Sequence, residues 1–315
     1  MGAAPCAYDQ IYRAYAPYYD EFMEHRAYPA WVRRLEALSL SLRPRGRLAF
    51  DAGCGTGKST EPLLELGYEV TGCDTCPQML ARARAKLGRR ARLVRADLAR
   101  LPRLGSFDYV SCLNDVVNYL LHPKELEAAF RALRANLAAD GVLVFDTSTQ
   151  ALYRTRYAHT LRRELGDAEV VWRGETPTDF EPAGIARATV ELSVGDGSAK
   201  RRLSHHVQRH YPEAAVRRAL ERAGLRLAGL RPGRRRPPRP APRRGRAHEG
   251  GARRDPPPVT PTRDERRERT CSPSRSSRRR RFRSCPAARS AERSVPGHAV
   301  WRGRAPLLPS KGRRP

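Results

Sequence analysis

The sequence predicts an α/β fold, with a doubly wound and mostly parallel sheet, a small antiparallel insertion after the fifth strand and a disordered C-terminal tail. Three observations lead to this prediction. Short apolar runs alternate with helix-length segments between residues 47 and 145, strand-like stretches follow one another between residues 160 and 210, and residues 231–315 are dominated by arginine and proline. Strands that alternate with helices pair in parallel, because each helix returns the chain to the same end of the sheet.

Residues 8–42 are predicted to be helical, because aromatic and apolar residues recur at intervals of three and four, from Tyr8 to Phe22 and again from Trp31 to Leu38. The strands of the parallel sheet are predicted from short apolar runs that end in an acid or before turn residues, at 47–51, 68–74, 92–95, 107–113 and 142–145. Helices are predicted where a longer segment is followed by glycine or by the next strand, at 58–66, 77–87 and 124–137.

After residue 150 the pattern changes to strands without helices between them. The antiparallel insertion is predicted from strand-like stretches at 169–172, 186–194 and 203–208. A helix at 212–223 and a sixth strand at 225–230 then complete the predicted fold. No seventh strand is visible beyond them, where the chain has one short apolar cluster around Val300–Trp301 and Leu307–Leu308.

Charge divides the chain into two parts. The whole sequence has 61 Lys and Arg against 33 Asp and Glu, a net charge of +28. Residues 231–315 contain 26 Arg, one Lys and six acids, a net +21, together with 15 of the 26 prolines. Residues 231–315 also contain too few apolar residues to offset the entropy of ordering the chain, so we predict that this segment is disordered.

Three interpretations of residues 231–315 remain open. Dense arginine neutralises phosphates, so the segment could be a nucleic-acid-binding arm. It could equally be an inert extension. In the third hypothesis it is a frameshift product that begins near residue 231, because Arg, Pro, Ala and Gly share GC-rich codons and the expected seventh strand is missing.

The composition also favours a cytoplasmic protein that does not span a membrane. No apolar run approaches the roughly 18–20 residues that cross a bilayer. The N-terminus lacks the basic and then apolar pattern of a signal peptide. Seven cysteines without regular spacing do not form a disulfide framework.

The segment most informative about function is DAGCGTG, residues 51–57, between a predicted strand and a predicted helix. Its three glycines let the backbone turn tightly and approach a ligand closely. Asp74 ends the next strand, 21 residues after Gly53, where an acid can accept the hydroxyls of a ribose. A third acid, Asp97, follows the third strand. Together these residues predict a nucleoside site at the carboxyl ends of the strands.

With this motif the chain resembles the class I S-adenosylmethionine-dependent methyltransferases of the small bacterial type, over residues 8–230, and the fold becomes specifically Rossmann-like. The resemblance implies lid helices in 1–45, an S-adenosylmethionine-binding core in 46–150, an antiparallel substrate-side insertion plus the last helix and strand in 151–230, and the tail in 231–315. It also implies that LAFDAGCGTG holds the methionine portion of the cofactor, that Asp74 holds its ribose, and that Met79, Asp97 and Leu98 surround its adenine. The cofactor-binding residues expected from it are Tyr19, Asp51, Gly53, Cys54, Gly55, Gly57, Asp74, Thr75, Met79, Asp97, Leu98, Leu113 and Asn114.

Two further segments resemble family motifs and supply the predicted catalytic residues, Asp115 and His206. SCLNDVVNYLL resembles the segment after the fourth strand and contains Asp115 with the pair Asn118 and Tyr119. SHHVQRHY resembles a strand on which His206 lies with Gln208, Arg209 and Tyr211. Asp115 could instead cap a helix. The histidines could also line a cleft or bind a metal, but no nearby Asp or Cys completes a ligand set, so no metal is expected.

The predicted function is transfer of a methyl group from S-adenosylmethionine to a small molecule. One alternative is an RNA- or DNA-binding or nucleic-acid-modifying protein, in which nucleic acid would be bound only through the tail. A second is a P-loop nucleotidase, since residues 57–60 (GKST) end like a phosphate-binding loop. That loop needs four residues between its glycine and the Gly-Lys pair, whereas Gly53 leaves three.

Overall fold

The structure is a computed structural model that describes residues 12–13, 15–24, 27–40, 46–195, 202–232 and 298–304. All of these residues belong to one compact unit. The strands are β1 Leu48–Ala52, β2 Glu69–Asp74, β3 Ala91–Arg95, β4 Phe107–Cys112, β5 Leu137–Ser148, β6 Thr160–Leu165, β7 Ala168–Gly174, β8 Ile185–Val194, β9 Arg202–Arg209, β10 Arg226–Pro232 and β11 His298–Arg304. The α-helices are α1 Tyr19–Phe22, α2 Tyr28–Leu40, α3 Thr60–Glu65, α4 Pro77–Leu87, α5 Pro123–Ala135, α6 Gln150–Thr155 and α7 Glu213–Arg222.

The central sheet has seven strands in the order β10-β11-β5-β4-β1-β2-β3. Strands β1 to β5 pair in parallel, whereas β11 runs antiparallel to both of its neighbours, β5 and β10. The chain leaves β1 toward β2 and β3 and then crosses to β4 on the other side. The carboxyl ends of β1 and β4 therefore form the switch point at which open α/β sheets bind ligands.

Alternating side chains of the central sheet fill two hydrophobic cores. Phe50, Leu143 and Phe145 point to one face, where they pack with residues of α5 and α7. Ala49 and Val144 point to the other face, where they pack with residues of α2 and α3. The period-two alternation of the strands thus places a helix layer on each side, as the sequence predicts.

A second sheet, in the order β6-β7-β8-β9, is antiparallel throughout. Its apolar face, which includes Val170, Trp172 and Val190, packs against Tyr15, Phe22 and other residues of the N-terminal segment. We call residues 12–24 the lid segment. This arrangement lets the lid segment and the antiparallel sheet cover the carboxyl ends of the central strands together.

The structure corrects the prediction that no seventh strand follows the sixth. Residues 298–304 form β11, which pairs with β5 from Ser148 to Val142 and with β10 from Pro232 to Arg226. This strand contains Val300–Trp301, the first part of the apolar cluster noted after residue 231. Two parts of the predicted tail thus belong to the sheet, because β10 continues to Pro232 and the chain rejoins the sheet at His298. The prediction of disorder otherwise concerns residues 233–297 and 305–315, outside the described residues.

Three other elements differ from the prediction. The N-terminal helix is not continuous, because a turn at Met23–Glu24 separates α1 from α2. β5 extends from Leu137, well before the predicted start at Val142. Helix α6 and strand β6 were not predicted, since both are short and β6 alternates exposed and half-buried positions that carry little apolar signal. Within the described residues no helix has the length and apolarity to cross a bilayer.

Candidate active site

The loop after β1 is held against the end of β2. The backbone N–H groups of Gly53 and Cys54 both donate to the carbonyl oxygen of Cys73, at 2.8 and 2.9 Å. The Asp74 carboxylate returns the connection, because its Oδ2 accepts from the Gly55 N–H at 2.9 Å while Oδ1 accepts from the Cys76 N–H at 2.9 Å. The glycine loop and the second acid of the motif therefore form one hydrogen-bonded unit.

Two glycines of the loop are required by conformation and space. Gly53 has φ +75°, and a Cβ there would lie 2.7 Å from Cγ2 of Val116. Gly57 has φ +84°, and its Cβ would lie 2.8 Å from Cδ1 of Leu87. L-residues rarely adopt this backbone conformation, and both positions lack room for a side chain, so only glycine fits.

Asp51 lies beneath the loop. It is fully buried, and its carboxylate accepts hydrogen bonds from Ser59 (2.7 Å), Thr60 (2.7 Å) and Ser111 (2.8 Å). Burial raises the pKa of Asp51, and these three hydrogen bonds oppose the shift because they favour the ionised form. Since Asp51 bonds to hydroxyls of α3 and β4, it fixes the loop from below.

Above the loop lies a cleft of about 900 Å³, the cofactor cleft. It is lined by Tyr12, Tyr19, Tyr28, Gly53, Cys54, Gly55, Thr56, Lys58, Ser59, Cys73, Asp74, Thr75, Met79, Ala96, Asp97, Leu98, Leu113, Asn114, Val116, Tyr119 and Leu120. The structure thus brings together all the predicted cofactor-binding residues except Asp51 and Gly57, which support the loop without lining the cleft. The tyrosines come from the lid segment, the start of α2 and the turn after β4, and apart from Tyr19 the sequence did not predict them as cofactor-binding residues.

Asp74 has the most perturbed environment of the predicted ribose site. Burial raises its pKa to about 6, although hydrogen bonds from the backbone N–H groups of Cys76 and Gly55 pull the pKa down. Asp74 is therefore ionised at neutral pH but begins to take up a proton in mildly acidic solution.

The turn after β4 places two consecutive residues in the left-handed region. Asn114 has φ 72° and Asp115 has φ 55°. The buried Asp146 of β5 holds them there, because its carboxylate accepts from the Asn114 N–H at 2.6 Å and from the Asp115 N–H at 3.2 Å. Short polar residues tolerate this conformation better than others, and the turn aims both side chains at the region above the sheet.

A second pocket of about 390 Å³, the inner pocket, adjoins the cofactor cleft. It is lined by Tyr12, Tyr15, Tyr19, Phe22, Met23, Asn114, Asp115, Tyr119, Leu152, Arg156, Tyr157, Trp172, His206 and Gln208. Four of these, Tyr12, Tyr19, Asn114 and Tyr119, also line the cofactor cleft. The two cavities therefore meet at a shared wall.

Both predicted catalytic residues lie in the inner pocket. The Asp115 carboxylate accepts from Nε2 of Gln208 at 3.2 Å and from Oγ of Ser148 at 3.1 Å. Asp115 occupies the N-cap position of the 3-10 turn Val116–Tyr119, but its side chain makes no capping hydrogen bond. Asp115 is therefore not a capping residue, since its carboxylate lines the inner pocket instead.

His206 is buried at the centre of an aromatic cluster. Its Nδ1 lies 2.8 Å from the hydroxyl of Tyr119, and its Nε2 lies 3.3 Å from the hydroxyl of Tyr15. The Tyr119 hydroxyl in turn lies 2.7 Å from that of Tyr12. Burial lowers the pKa of His206 to about 3, and the charges of Arg156 and His205 add to the shift. His206 is therefore neutral at physiological pH.

The predicted strand motif and the predicted post-β4 motif are joined by a row of contacts. Gln208 reaches Asp115, Arg209 Nε donates to the carbonyl of Leu121, and the Tyr211 hydroxyl donates to the carbonyl of Leu120. Asn118 links the sheets directly, since its Nδ2 donates to the Arg209 carbonyl at 2.8 Å and its Oδ1 accepts from the Ser148 N–H at 2.9 Å. These contacts fix the segment after β4 to β5 and β9 while Asn114, Asp115 and Tyr119 of the same segment line the cavities.

The GKST residues have structural partners. Ser59 and Thr60 donate to Asp51, and the Lys58 Nζ donates to the carbonyl of Asp20 in the lid segment at 3.2 Å. Within the described residues, no group of three or more His, Cys, Asp or Glu side chains is arranged so that it could bind a metal ion.

Comparison with known proteins identifies the family. Residues 49–141 match the family model described as a methyltransferase domain. The chain is 30% identical over 207 residues to the putative methyltransferase YqeM of Bacillus subtilis, covering 64% of this chain and 81% of that protein. The chain belongs to the class I S-adenosylmethionine-dependent methyltransferases. The family predicted from the sequence is confirmed, and the P-loop nucleotidase hypothesis is wrong.

Solved structures share the fold of this methyltransferase. An S-adenosylmethionine-dependent methyltransferase from Clostridium acetobutylicum superposes with a TM-score of 0.60 at 23% identity, covering 70% of this chain and 89% of that one. The sugar N-methyltransferase KedS8 from Streptoalloteichus has a TM-score of 0.55 at 26% identity, covering 66% of this chain and 85% of that one. The Rossmann-like fold and the cofactor, S-adenosylmethionine, are thereby confirmed.

The cleft of the methyltransferase suits this cofactor on its own chemistry. Asn114 Oδ1 is a buried acceptor that no donor reaches within the described part of the chain, and it lines the cleft. Such an acceptor matches the ammonium and sulfonium of the ligand. The Asp74 carboxylate suits ribose hydroxyls, and the apolar side chains of Met79 and Leu98 suit an adenine ring.

Proposed function

We propose that this methyltransferase transfers the methyl group of S-adenosylmethionine to a nucleophile of a small molecule bound in the inner pocket. The observation that carries the proposal is the shared wall between the inner pocket and the cofactor cleft, formed by Tyr12, Tyr19, Asn114 and Tyr119. Across this wall a molecule in the inner pocket would face the cofactor. Holding two reactants in line is the main requirement of methyl transfer, since orientation can supply about 7–11 kcal/mol of barrier reduction.

The lining of the inner pocket supports a small acceptor. It is mainly aromatic with a few polar side chains, Asp115, Arg156, His206 and Gln208, as is typical of small-molecule sites. The pocket walls come from the lid segment, α6, β7 and β9, so the acceptor is enclosed on several sides. KedS8, compared above, is a sugar N-methyltransferase by name, which agrees with a small acceptor.

Within the cofactor cleft we assign the residues by their chemistry. Bound S-adenosylmethionine supplies an activated methyl group on a sulfonium. Gly53, Gly55 and Cys54 present backbone to the methionine end, with Asn114 Oδ1 as an acceptor for positive charge. Asp74 accepts the ribose hydroxyls, Thr75 and Met79 border the adenine, and Asp97 with Leu98 binds its far edge. Tyr19 and Leu113 close the cleft beside the reacting centre.

Asp115 is the group proposed to contact the nucleophile. It is the one carboxylate that lines the inner pocket in the described part of the chain, and two donors hold it in place. There it can accept a hydrogen bond or a proton from an amine or hydroxyl. General base catalysis of this kind contributes about 10²–10⁴-fold.

His206 is proposed to act as a positioning residue rather than as the base. With its pKa lowered to about 3, it binds a proton weakly at neutral pH. Its hydrogen bonds to Tyr119 and Tyr15 instead fix the hydroxyls of two tyrosines that line the pocket. The predicted catalytic role of His206 thus becomes one of holding Tyr119 at the shared wall.

Two predictions stand outside this proposal. The nucleic-acid alternative depends on the arginine-rich tail, most of which lies outside the described residues, and no described contact favours it. The cytoplasmic location stays a prediction.

A two-step experiment tests the proposed function. Isothermal titration measures the affinity for S-adenosylmethionine, and a screen of small-molecule pools with an isotopically labelled methyl donor then detects methylated products. We expect label in a small molecule, and we expect Asp115→Asn to keep cofactor affinity within about twofold while turnover falls about 100-fold. Label that enters only RNA or DNA would refute the proposal in favour of the nucleic-acid alternative.

A further inference from the structure

The inner pocket contains one arginine that the proposed mechanism does not use. Arg156 follows α6 and begins a short 3-10 turn, Arg156–Ala158. Its guanidinium carbon lies 4.6 Å from the centre of the Trp172 ring. The indole Nε1 of Trp172 donates to the Arg156 carbonyl at 2.9 Å, which fixes the two residues against each other. The cation therefore lies over the indole ring, which is itself hydrogen-bonded to the backbone of Arg156.

The hydrogen-bonding edge of Arg156 is not satisfied. Its Nε is buried, and nothing within the described part of the chain accepts a hydrogen bond from it. Nor does any described carboxylate lie within 4.0 Å of its guanidinium. Other described arginines at this end of the antiparallel sheet behave differently, since Arg162 pairs with Glu169 at 2.8 Å and Arg173 with Glu191 at 3.4 Å. A buried donor without an acceptor is costly, so this edge is suited to a ligand.

The charges around the pocket leave Arg156 uncompensated. Asp115 is the one described acid of the lining, and its carboxylate is already engaged by Ser148 and Gln208. His206 is neutral because burial and the nearby Arg156 lower its pKa to about 3. Burial raises the pKa of Tyr15 and of Tyr157, so both rings are neutral as well. Arg156 therefore faces a pocket lined mainly by neutral aromatic rings, and such surroundings of low polarity strengthen the attraction between its guanidinium and an anion.

We propose that the methyl acceptor carries a carboxylate that binds the guanidinium edge of Arg156. This inference rests on the proposed function, because it assigns one end of the same small molecule. A carboxylate matches a single guanidinium in charge and in planar, two-pronged geometry, whereas a phosphate monoester carries nearly two charges at neutral pH. With its carboxylate on Arg156, the acceptor extends along the aromatic side chains toward Tyr19, Asn114 and Tyr119, where the cofactor cleft begins.

Matched ligand pairs test the inference without knowledge of the natural acceptor. The full chain, saturated with S-adenosylhomocysteine, is titrated with 3-aminobenzoate and 3-aminobenzamide, and with phenylalanine and phenylalaninamide, by ligand-observed NMR. Phenyl phosphate is the third type of probe. Each amide has nearly the shape of its carboxylate without the charge. We expect at least one carboxylate to bind at least about tenfold more tightly than its amide and than phenyl phosphate, as a charge-assisted hydrogen bond requires.

Substitutions then locate the preference. Arg156→Gln should abolish the difference between carboxylate and amide, and Arg156→Lys should keep part of it, because lysine retains the charge without the planar fork. Arg162→Gln is the matched control, since it removes one exposed positive charge from β6 outside the pocket and should leave the preference intact. Affinity for S-adenosylmethionine reports whether each variant is folded.

The outcomes distinguish the inference from the proposed function. Equal binding of carboxylates and amides, failure of every carboxylate to bind, tighter binding of phenyl phosphate, or a preference that survives Arg156→Gln would each overturn the inference. If Arg156→Gln does not fold, the comparison of carboxylates with amides and with phenyl phosphate in the wild-type chain still tests the inference. If methyl label enters a small molecule that has no anionic group, the proposed function stands and the inference fails. If carboxylates bind with the expected preference but no small molecule is methylated, the carboxylate site at Arg156 stands, whereas the proposed function fails, and with it the claim that the bound carboxylate belongs to a methyl acceptor.

Discussion

Asp74 shows how one half-buried residue sets the pH range of the site. Its raised pKa of about 6 means that the proposed ribose acceptor loses its charge in mildly acidic solution. We therefore expect affinity for S-adenosylmethionine to be constant near neutral pH and to fall below about pH 6, approaching about tenfold per pH unit if the protonated form does not bind. Isothermal titration between pH 5 and 8 measures this.

The control for the pH dependence is Asp74→Asn. This side chain keeps the shape of the acid but cannot ionise, so affinity should be weak at every pH and the profile should be flat. A wild-type affinity that stays unchanged down to pH 5 would contradict the assigned role of Asp74.

Gly53 is a residue at which two costs can be separated. Gly53→Ala introduces a side chain at φ +75° and places its Cβ 2.7 Å from Cγ2 of Val116. Gly67→Ala is the matched control, since Gly67 has φ +82° and no neighbour within 4 Å of the added Cβ. We expect both variants to lose about 1–2 kcal/mol of unfolding free energy from the backbone conformation. Gly53→Ala should lose more, and cofactor affinity with it.

The double variant Gly53→Ala with Val116→Ala isolates the steric part. It should recover affinity for S-adenosylmethionine relative to Gly53→Ala alone, because the added Cβ then has space. Equal unfolding free energies for Gly53→Ala and Gly67→Ala in chemical denaturation would show that close approach is not what requires glycine here.

At the scale of elements, the lid segment is fastened to the glycine loop by one residue. The carboxylate of Asp20, in α1, accepts from the Thr56 hydroxyl and forms an ion pair with Lys86 of α4, while its carbonyl accepts from Lys58. These contacts connect α1 to elements on the cofactor side of the cleft. They also place Tyr19, the neighbour of Asp20, over the cleft.

We expect Asp20→Asn to loosen this closure. Loss of the ion pair with Lys86 and weakening of the bond from Thr56 should raise the dissociation rate of S-adenosylmethionine about 5- to 30-fold, since partly buried charged hydrogen bonds contribute about 1–2 kcal/mol. Stopped-flow displacement measures that rate. Glu21→Gln, an equal change of charge at an exposed position of the same helix, should leave it unchanged. If both variants release the cofactor at the same rate, net charge controls its release and the contacts of Asp20 do not.

At the scale of the whole molecule, β11 decides whether the central sheet is complete. Seven of its residues pair with β5 and six with β10. Without it both neighbours would become open edges, with unpaired backbone groups that favour aggregation. The hypothesis that residues 231–315 are a frameshift product stays a prediction.

Two truncations test the contribution of β11. Removal of residues 298–315 should lower the unfolding free energy by about 2 kcal/mol or more and increase aggregation, because β5 and β10 lose their common partner. Removal of residues 305–315 alone leaves every described strand in place and serves as the control. Thermal unfolding and light scattering measure both effects. If the longer truncation is as stable and as monodisperse as the control, β11 does not hold the sheet together.

The sequence alone determined the parallel core and most of the cofactor cleft. Both depend on local signals, namely apolar runs of strand length, glycines at fixed spacing and an acid at the end of each of the first three strands. Since parallel strands end at the same edge of a sheet, residues far apart in the chain converge without further information. Asp74 and Asp97 could therefore be assigned to one cleft from their positions, whereas Met79 was assigned to it from the resemblance to the family.

The inner pocket was decided by the tertiary structure. Arg156, Trp172 and Tyr157 carry no motif, and they meet His206 only because the 3-10 turn Arg156–Ala158 packs on the antiparallel sheet that holds Trp172 and His206. His206 was identified from the sequence, but its loss of basicity follows from burial, which sequence does not reveal. Strand β11 was also missed, because its few apolar residues become a strand only when an open place between β5 and β10 supplies partners on both sides. Local pattern specified the elements, and long-range packing specified where their polar groups are buried.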